Sequence, residues 1–330
     1  MNFKNVIGID ISKSTIDVCI HLSGSIKQFK NSNRGFKELL KWLDEQEVIT
    51  QESLFIYEHT AMYSYLISCF FDREKLLYHI APALDIKRSM GITRGKDDKI
   101  DAKRIALYGY RLKDEIKPNT PIDKSIVQLK SLMGLKSKLI KQRAGYKTSL
   151  KEQKNIYDSK HFKTIFEVQQ KVIHYLNKQI KSIEGQILKI IKDNEKLYEN
   201  LKLITSIKGI GVNMTVNMII TTENFKKFEY WRKFASYCGI APFPHQSGSS
   251  IKGRSRVSQL ANKNIKACIH LCAMSAIQHN TEMKQYYNKR IEMGKNKMST
   301  INIIRNKLIA RIFAVVKRQT PYVDTMKFAT

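Results

Sequence analysis

The segment Val6-Ile-Gly-Ile-Asp-Ile-Ser-Lys13, running on into Thr15-Ile-Asp-Val-Cys-Ile-His-Leu22, reads as a β-hairpin. Val6, Ile7, Ile9 and Ile11 form a nearly continuous apolar run, the pattern of a central strand covered on both faces. One acid, Asp10, interrupts that run. A carboxylate on such a strand is costly to bury unless a cation or a hydrogen-bonding site compensates it, which makes Asp10 a candidate metal ligand.

Working outward, residues 1 to about 112 alternate strands and helices. A third strand is expected near Ile26–Phe29, then an amphipathic helix from Arg34 to about Glu45. Ser53–Glu58 is a short buried-strand pattern that ends in an acid. A helix near Tyr63–Phe71, a strand at Leu76–Ile80 closed by Pro82, and a helix from Asp98 to Leu112 follow. Three strands, then helix, strand, helix, strand and helix, is the order of a ribonuclease-H-like layered α/β fold.

Pro118 and Pro121 mark a break. Beyond them the sequence predicts one long helical section from about Ser125 to Leu201. Its second half carries a heptad seam: Ile173, Leu176, Ile180, Ile183, Ile187, Ile190, Asn194, Leu197 and Leu201. Alternating steps of three and four are those of a coiled coil, and Asn194 at an apolar position would set its register. Self-association through this seam is the favoured expectation. The alternative is an intramolecular hairpin with Leu132, Leu135, Leu139, Tyr146 and Leu150.

From Leu203 the composition shifts. Ile204-Thr-Ser-Ile-Lys-Gly-Ile-Gly211 followed by Val212–Ile220 resembles a helix-hairpin-helix, in which Gly209 and Gly211 let backbone N–H groups approach a phosphate. A lone Gly-x-Gly also suits a plain interhelical turn. No strand precedes it, so a dinucleotide fingerprint is disfavoured. Residues 239–258 read as a polar, basic loop, with helices resuming from about Leu260 to Val316. The expected domains are 1–120, 121–202 and 203–330.

Lysine and arginine total 58 against 29 acids, a net charge of +29 over 330 residues. Such an excess predicts a polyanionic partner, because phosphate contacts release counterions and the long-range field speeds encounter. Compositional bias towards Lys, Ile and Asn raises lysine without halving the acids, so the charge points to nucleic acid. The N-terminus shows no secretory pattern, and no apolar run reaches ~18 residues, so a cytoplasmic bacterial protein with no membrane span is expected. Five scattered cysteines suit reduced thiols. Cys268-x-His270-x-Cys272 lies in a helical apolar pattern with no second ligand pair and reads as core.

Four acids stand at informative places: Asp10, Glu58, Asp98 and Asp101. The spacing of three puts Asp98 and Asp101 on one helix face. In the expected fold the first strand lies beside the one bearing Glu58, and the Asp98 helix packs across their ends. Gathered carboxylates repel one another and take hard divalent cations, Mg²⁺ or Mn²⁺ rather than zinc. Helix N-terminal charge complementing the dipole is the plainer reading of Asp98 and Asp101 taken alone.

With those residues in hand, the chain resembles the DEDD transposases of bridge-RNA-guided, serine-dependent insertion sequences, relatives of the pilin-gene invertases. The resemblance runs through Gly8–Lys13, Tyr57-Glu58, Lys96-Asp-Asp-Lys-Ile-Asp-Ala102, the Gly-Ile-Gly turn at 209–211, Gly239-Ile-Ala-Pro242 and Gln246-Ser-Gly248. It implies that Asp10, Glu58, Asp98 and Asp101 bind metal, with Asp97 standing where relatives usually carry threonine. It implies Ser247 as the nucleophile, a choice that spacing leaves open among Ser247, Ser249, Ser250, Ser255 and Ser258. It implies a RuvC-like N-terminal domain, a coiled coil, a helical C-terminal transposase domain and a dimer of dimers. The implied partners are donor and target DNA duplexes and a structured non-coding guide RNA, with Lys13, Lys208, Gly209, Gly211, Lys252, Arg254 and Arg256 contacting nucleic acid. The rivals are a Holliday-junction-type nuclease that uses water, a non-catalytic nucleic-acid scaffold, and an actin-like kinase, which would need glycine-rich nucleotide loops that the sequence lacks.

Overall fold

The computed structural model describes residues 3–60, 62–91, 97–121, 123–158, 160–247 and 251–323, with backbone alone at positions 245, 247, 251, 252 and 254. Lys96, Gly248, Ser249 and Ser250 lie outside the described residues. The chain divides into two compact units, 1–123 and 124–330.

The first unit is built on a five-stranded sheet in the order β3-β2-β1-β4-β5. Strand β1 (Asn5–Ile11) turns back into β2 (Thr15–Ile20), which pairs antiparallel with β3 (Ile26–Lys30). The turn is closed by Ser12, whose hydroxyl donates to the Thr15 carbonyl and accepts from the Thr15 N–H at 2.9 and 3.0 Å. On its other edge β1 runs parallel to β4 (Ser53–Glu58), and β4 parallel to β5 (Leu77–Ala81).

Alternation along these strands splits the core in two. One face carries Ile7, Ile9, Phe55 and Tyr57 against Phe36, Leu39 and Leu43 of α1 (Asn33–Glu45) and Phe70 and Phe71 of α2 (Tyr65–Arg73). The other carries Val6, Leu54 and Ile56 against Ile86 of α3 (Ala83–Ser89) and Ile105 and Tyr108 of α4 (Asp98–Arg111). Ser32 caps α1, accepting from the Gly35 N–H.

The second unit is mostly helical: α5 (Lys124–Ile156), α6 (Lys163–Lys192), α7 (Glu195–Thr205), α8 (Val212–Thr222), α9 (Trp231–Tyr237), α10 (Lys263–His279), α11 (Thr281–Glu292) and α12 (Lys297–Arg318). No helix among the described residues is long and apolar enough to cross a membrane.

Two expectations need correction here. The long helical section comprises α5, α6 and α7, and Asn194 is not a coiled-coil position within it. Its side chain accepts from the Leu197 N–H at 3.2 Å and caps α7. An asparagine that meets an orphan N–H gains more from starting a helix than from sitting in a seam. Part of the seam packs within the chain. Ile183, Ile187 and Ile191 of α6 pack with Leu129 of α5 and with Val216 and Ile219 of α8.

Second, the described residues of 239–258 are not simply a loop. They hold a two-stranded antiparallel ribbon, β6 (Pro242–Ser247) and β7 (Ile251–Val257). Pro242 and Pro244 disguise the first strand, but proline is tolerated where a strand has a free edge.

Candidate active site

Two strands of the first unit bring acids to the face covered by α4, and α4 adds two of its own. On β1, a β-carbon at Gly8 would overlap the backbone of Ala102 and Ala106, so Gly8 faces α4. Asp10, two residues on, shares that face. On β4, Ile56 belongs to the α4 core, so Glu58 at the strand end is on the same side. Strand register puts the two acids side by side, since each directly follows the parallel pair Ile9 and Tyr57. Asp98 and Asp101 form the first turn of α4.

The electrostatics record this gathering. The Asp10 carboxyl is pushed up to about 6, by burial first and then by the charges of Asp98 and Asp101. The backbone N–H of Ile11 acts the other way by donating to it. Asp101 has a cationic partner, Arg104, at 2.8 Å. Asp97 is engaged separately: it caps α4, accepting from the Lys99 N–H at 3.0 Å. Among Asp97, Asp98 and Asp101, the latter two are the acids whose charge reaches Asp10.

These carboxylates offer hard oxygen donors and a surplus of negative charge, which fits a divalent cation of the Mg²⁺ or Mn²⁺ kind. As they stand, no three His, Cys, Asp or Glu side chains among the described residues are close enough to share an ion. The acids share a field without closing into a ligand shell.

A fifth acid went unnoticed in the sequence. Asp17 of β2 is the antiparallel partner of Asp10 and is only 2 % exposed. The signal was available: once the hairpin turn is placed at 12–14, Asp17 falls opposite Asp10.

Other candidate residues are carried by other elements. Lys13 is exposed at the tip of the β1–β2 turn. Ser247 ends β6 and pairs with Ile251; Gln246 pairs with Lys252, and Phe243 with Arg256. Lys252, Arg254 and Arg256 occupy alternate positions of β7.

The two glycines of the helix-hairpin-helix differ. Gly209 has φ +95° and sits against Ala276 of α10, where a β-carbon would be 2.8–2.9 Å from that residue. Its conformation and close packing therefore account for glycine there without a phosphate. Gly211 caps α8 with open space around it, beside exposed Lys208. In the Cys268-x-His270-x-Cys272 stretch, His270 Nδ1 accepts from Arg305 at 2.6 Å, and the three side chains form no metal cluster.

A model of DEDD transposases of the IS110 type matches residues 7–154, the stretch that contains all the acids above. A second, of the IS116/IS110/IS902 transposase family, matches residues 201–288, with the Gly-Ile-Gly turn and the ribbon. The chain is a relative of the DEDD transposases and recombinases. Pilin gene-inverting proteins of Moraxella bovis and Moraxella lacunata are each 28 % identical to this DEDD relative over 327 residues, covering 97 % of the chain and 98 % of their own length. An uncharacterised 43.6 kDa protein of insertion element IS110 from Streptomyces coelicolor is 24 % identical over 151 residues, covering 46 % of the chain and 36 % of its own.

Proposed function

We propose that the chain is an insertion-sequence DNA recombinase that cuts and rejoins strands with Asp10, Glu58, Asp98, Asp101 and Ser247. The observation that carries this reading is the placing of Asp10 on the sheet face covered by α4, where the charges of Asp98 and Asp101 in the first turn of that helix reach it, within the residues matched by the DEDD transposase model. The strand order β3-β2-β1-β4-β5, antiparallel on one side and parallel on the other, supports a RuvC-like domain over residues 1–120. Residues 121–202 would serve as the connecting helical arm, and 203–330 as the transposase domain with the serine ribbon. The names of the Moraxella relatives, which describe inversion of a gene, agree with strand exchange.

The four carboxylates would hold a divalent cation, Mg²⁺ or Mn²⁺, and when bound it would supply Lewis acidity toward a phosphodiester. The Ser247 hydroxyl attacks the phosphorus: a serine–phosphate bond forms, one bond from phosphorus to a sugar oxygen breaks, and that oxygen leaves as a hydroxyl with the proton balance met by the serine. Lys252, Arg254 and Arg256 steady the developing phosphorane charge. The phosphoserine link keeps the energy of the broken ester, so the hydroxyl of a second strand can reverse the attack and free the serine.

Donor and target duplexes and a structured guide RNA are the proposed partners, and a dimer of dimers the proposed assembly. The +29 charge supports several nucleic-acid strands held at once. Lys130, Lys138, Lys141, Lys147 and Lys151 are exposed along α5, whose sole acid is Glu152. Lys13, Lys208 and the Gly211 cap of α8 are further proposed contacts.

The test is Ser247→Ala. Protein–DNA adducts resistant to denaturant should vanish, with DNA binding changed by less than about 1 kcal/mol. Adducts that persist rule out Ser247, and cleavage without adducts in the unsubstituted chain favours a water-using nuclease. Sequencing RNA that copurifies with the chain tests the guide: its loops should spell out both DNA partners.

A further inference from the structure

The ribbon of β6 and β7 is held at its root and bare beyond it. Asn302 and Asn306 of α12 both donate their side-chain amides to the Ile240 carbonyl, at 2.8 and 3.1 Å. On the returning side, the Asn262 N–H donates to the Tyr237 carbonyl at 3.0 Å. From Pro242 to Gln246 on β6 and from Gly253 to Arg256 on β7, every residue whose side chain is described is exposed. A two-stranded hairpin is marginal in water without a surface to pack on, so this one has much to gain from a partner that covers it.

Two features argue against a further protein strand and for nucleic acid. Pro242 and Pro244 bring no N–H, so this stretch of β6 lacks the donors that a strand added at its edge would need. Between Glu229 and Glu282 the chain holds no acid and seven lysines and arginines, a charge that suits a polyanion. Within that stretch, Phe243 and Arg256 stand opposite each other across the ribbon. A single exposed phenylalanine is ordinary. This one is 44 % exposed and has its backbone restrained by a proline on either side. Register holds its β-carbon about 5 Å from that of the arginine, so a flat apolar ring and a cation lie side by side, as do the base and phosphate of a nucleotide.

We infer that Phe243 stacks on an unpaired DNA base while Arg256 binds a phosphate of the same strand. Inside a duplex both faces of a base are covered by its neighbours, so the ring reaches a base only where the strands have opened. The flanking prolines reduce the entropy lost when the ring is ordered against the base. Such a stack keeps the opened strand on the ribbon while strands are exchanged. This inference rests on the DNA substrate of the proposed function, and on neither its cation nor Ser247.

The experiment is fluorescence anisotropy of the full chain with a short labelled single-stranded DNA, the same sequence as a duplex, and the same sequence as RNA. Phe243→Ala should weaken single-strand DNA binding about tenfold, the size of one base–aromatic stack, and leave duplex binding unchanged. Phe243→Trp should keep the affinity and Phe243→Leu should lose it, because stacking needs an aromatic face. Arg256→Gln should lower the salt slope of single-strand binding by about 0.7, the share of one phosphate, whereas Phe243→Ala leaves that slope as it is. Full affinity in Phe243→Ala overturns the inference, as do equal losses on single strand and duplex, retention by leucine, an unaltered salt slope in Arg256→Gln or a loss confined to RNA. A lower Tm accompanying the loss marks a structural role and overturns it too. An unsubstituted chain that binds none of the three nucleic acids overturns the proposed function as well.

Discussion

Gly8 of β1 and Ala106 of α4 meet backbone to backbone, with no room between them for even a β-carbon. This contact lets α4 lie directly on the sheet. It is also what brings the first turn of α4, with Asp98 and Asp101, to the strand that carries Asp10.

Gly8→Ala is therefore expected to lower the unfolding free energy by about 1–3 kcal/mol, the usual cost of forcing atoms into a packed core. The added methyl meets backbone rather than the end of a flexible side chain, so the helix itself must move. Urea unfolding measures the loss, and Mn²⁺ affinity should fall with it. An unchanged denaturation midpoint would show that the strand and helix are not in close contact.

The raised Asp10 carboxyl predicts a pH dependence with a definite sign. Its folded-state value, about 6, lies above the ordinary 3.8, so the folded chain holds this proton more tightly than the unfolded one. Its stabilising contribution is complete below about pH 4 and is lost as pH rises to about 6. In metal-free protein, the difference in Tm between the native chain and Asp10→Asn should therefore change between pH 4 and 6 and level off above. Added Mg²⁺ or Mn²⁺ should move that change to lower pH, because a cation favours the ionised form. A difference that stays constant across this range would refute the burial and repulsion at Asp10.

Asn194→Leu distinguishes a helix cap from a coiled-coil seam by the sign of its effect. A leucine in an apolar seam stabilises, whereas loss of the side-chain oxygen that accepts from Leu197 should cost about 1 kcal/mol. Chemical denaturation reads the sign directly. Increased stability would restore the seam reading.

The N-terminal sheet was legible because its strands are short apolar runs separated by turn residues, and period-two alternation survives without knowledge of the partner strands. Asp10 and Glu58 stood out for the same reason, as acids on otherwise buried strands. Asp17 did not, since its significance depends on which residue lies across the hairpin. The ribbon at 242–257 was hidden because its strands are polar and contain proline, and a two-stranded element with free edges needs no apolar alternation. Asn194 misled because a helix cap followed by Leu197 and Leu201 continues the same three-and-four spacing as a seam.

The order of strands and helices in the first unit, save the short helix α3 that follows Pro82, the excess of positive charge and the identity of the acids were determined by the amino-acid sequence alone. They are properties of local pattern and composition, readable one segment at a time. Tertiary structure alone decided which acids share a field, that Asp97 caps a helix while Asp98 and Asp101 reach Asp10, and that Gly209 serves packing. Each depends on groups distant in the chain coming within a few ångströms, where burial and Coulomb interactions act through space rather than along the sequence.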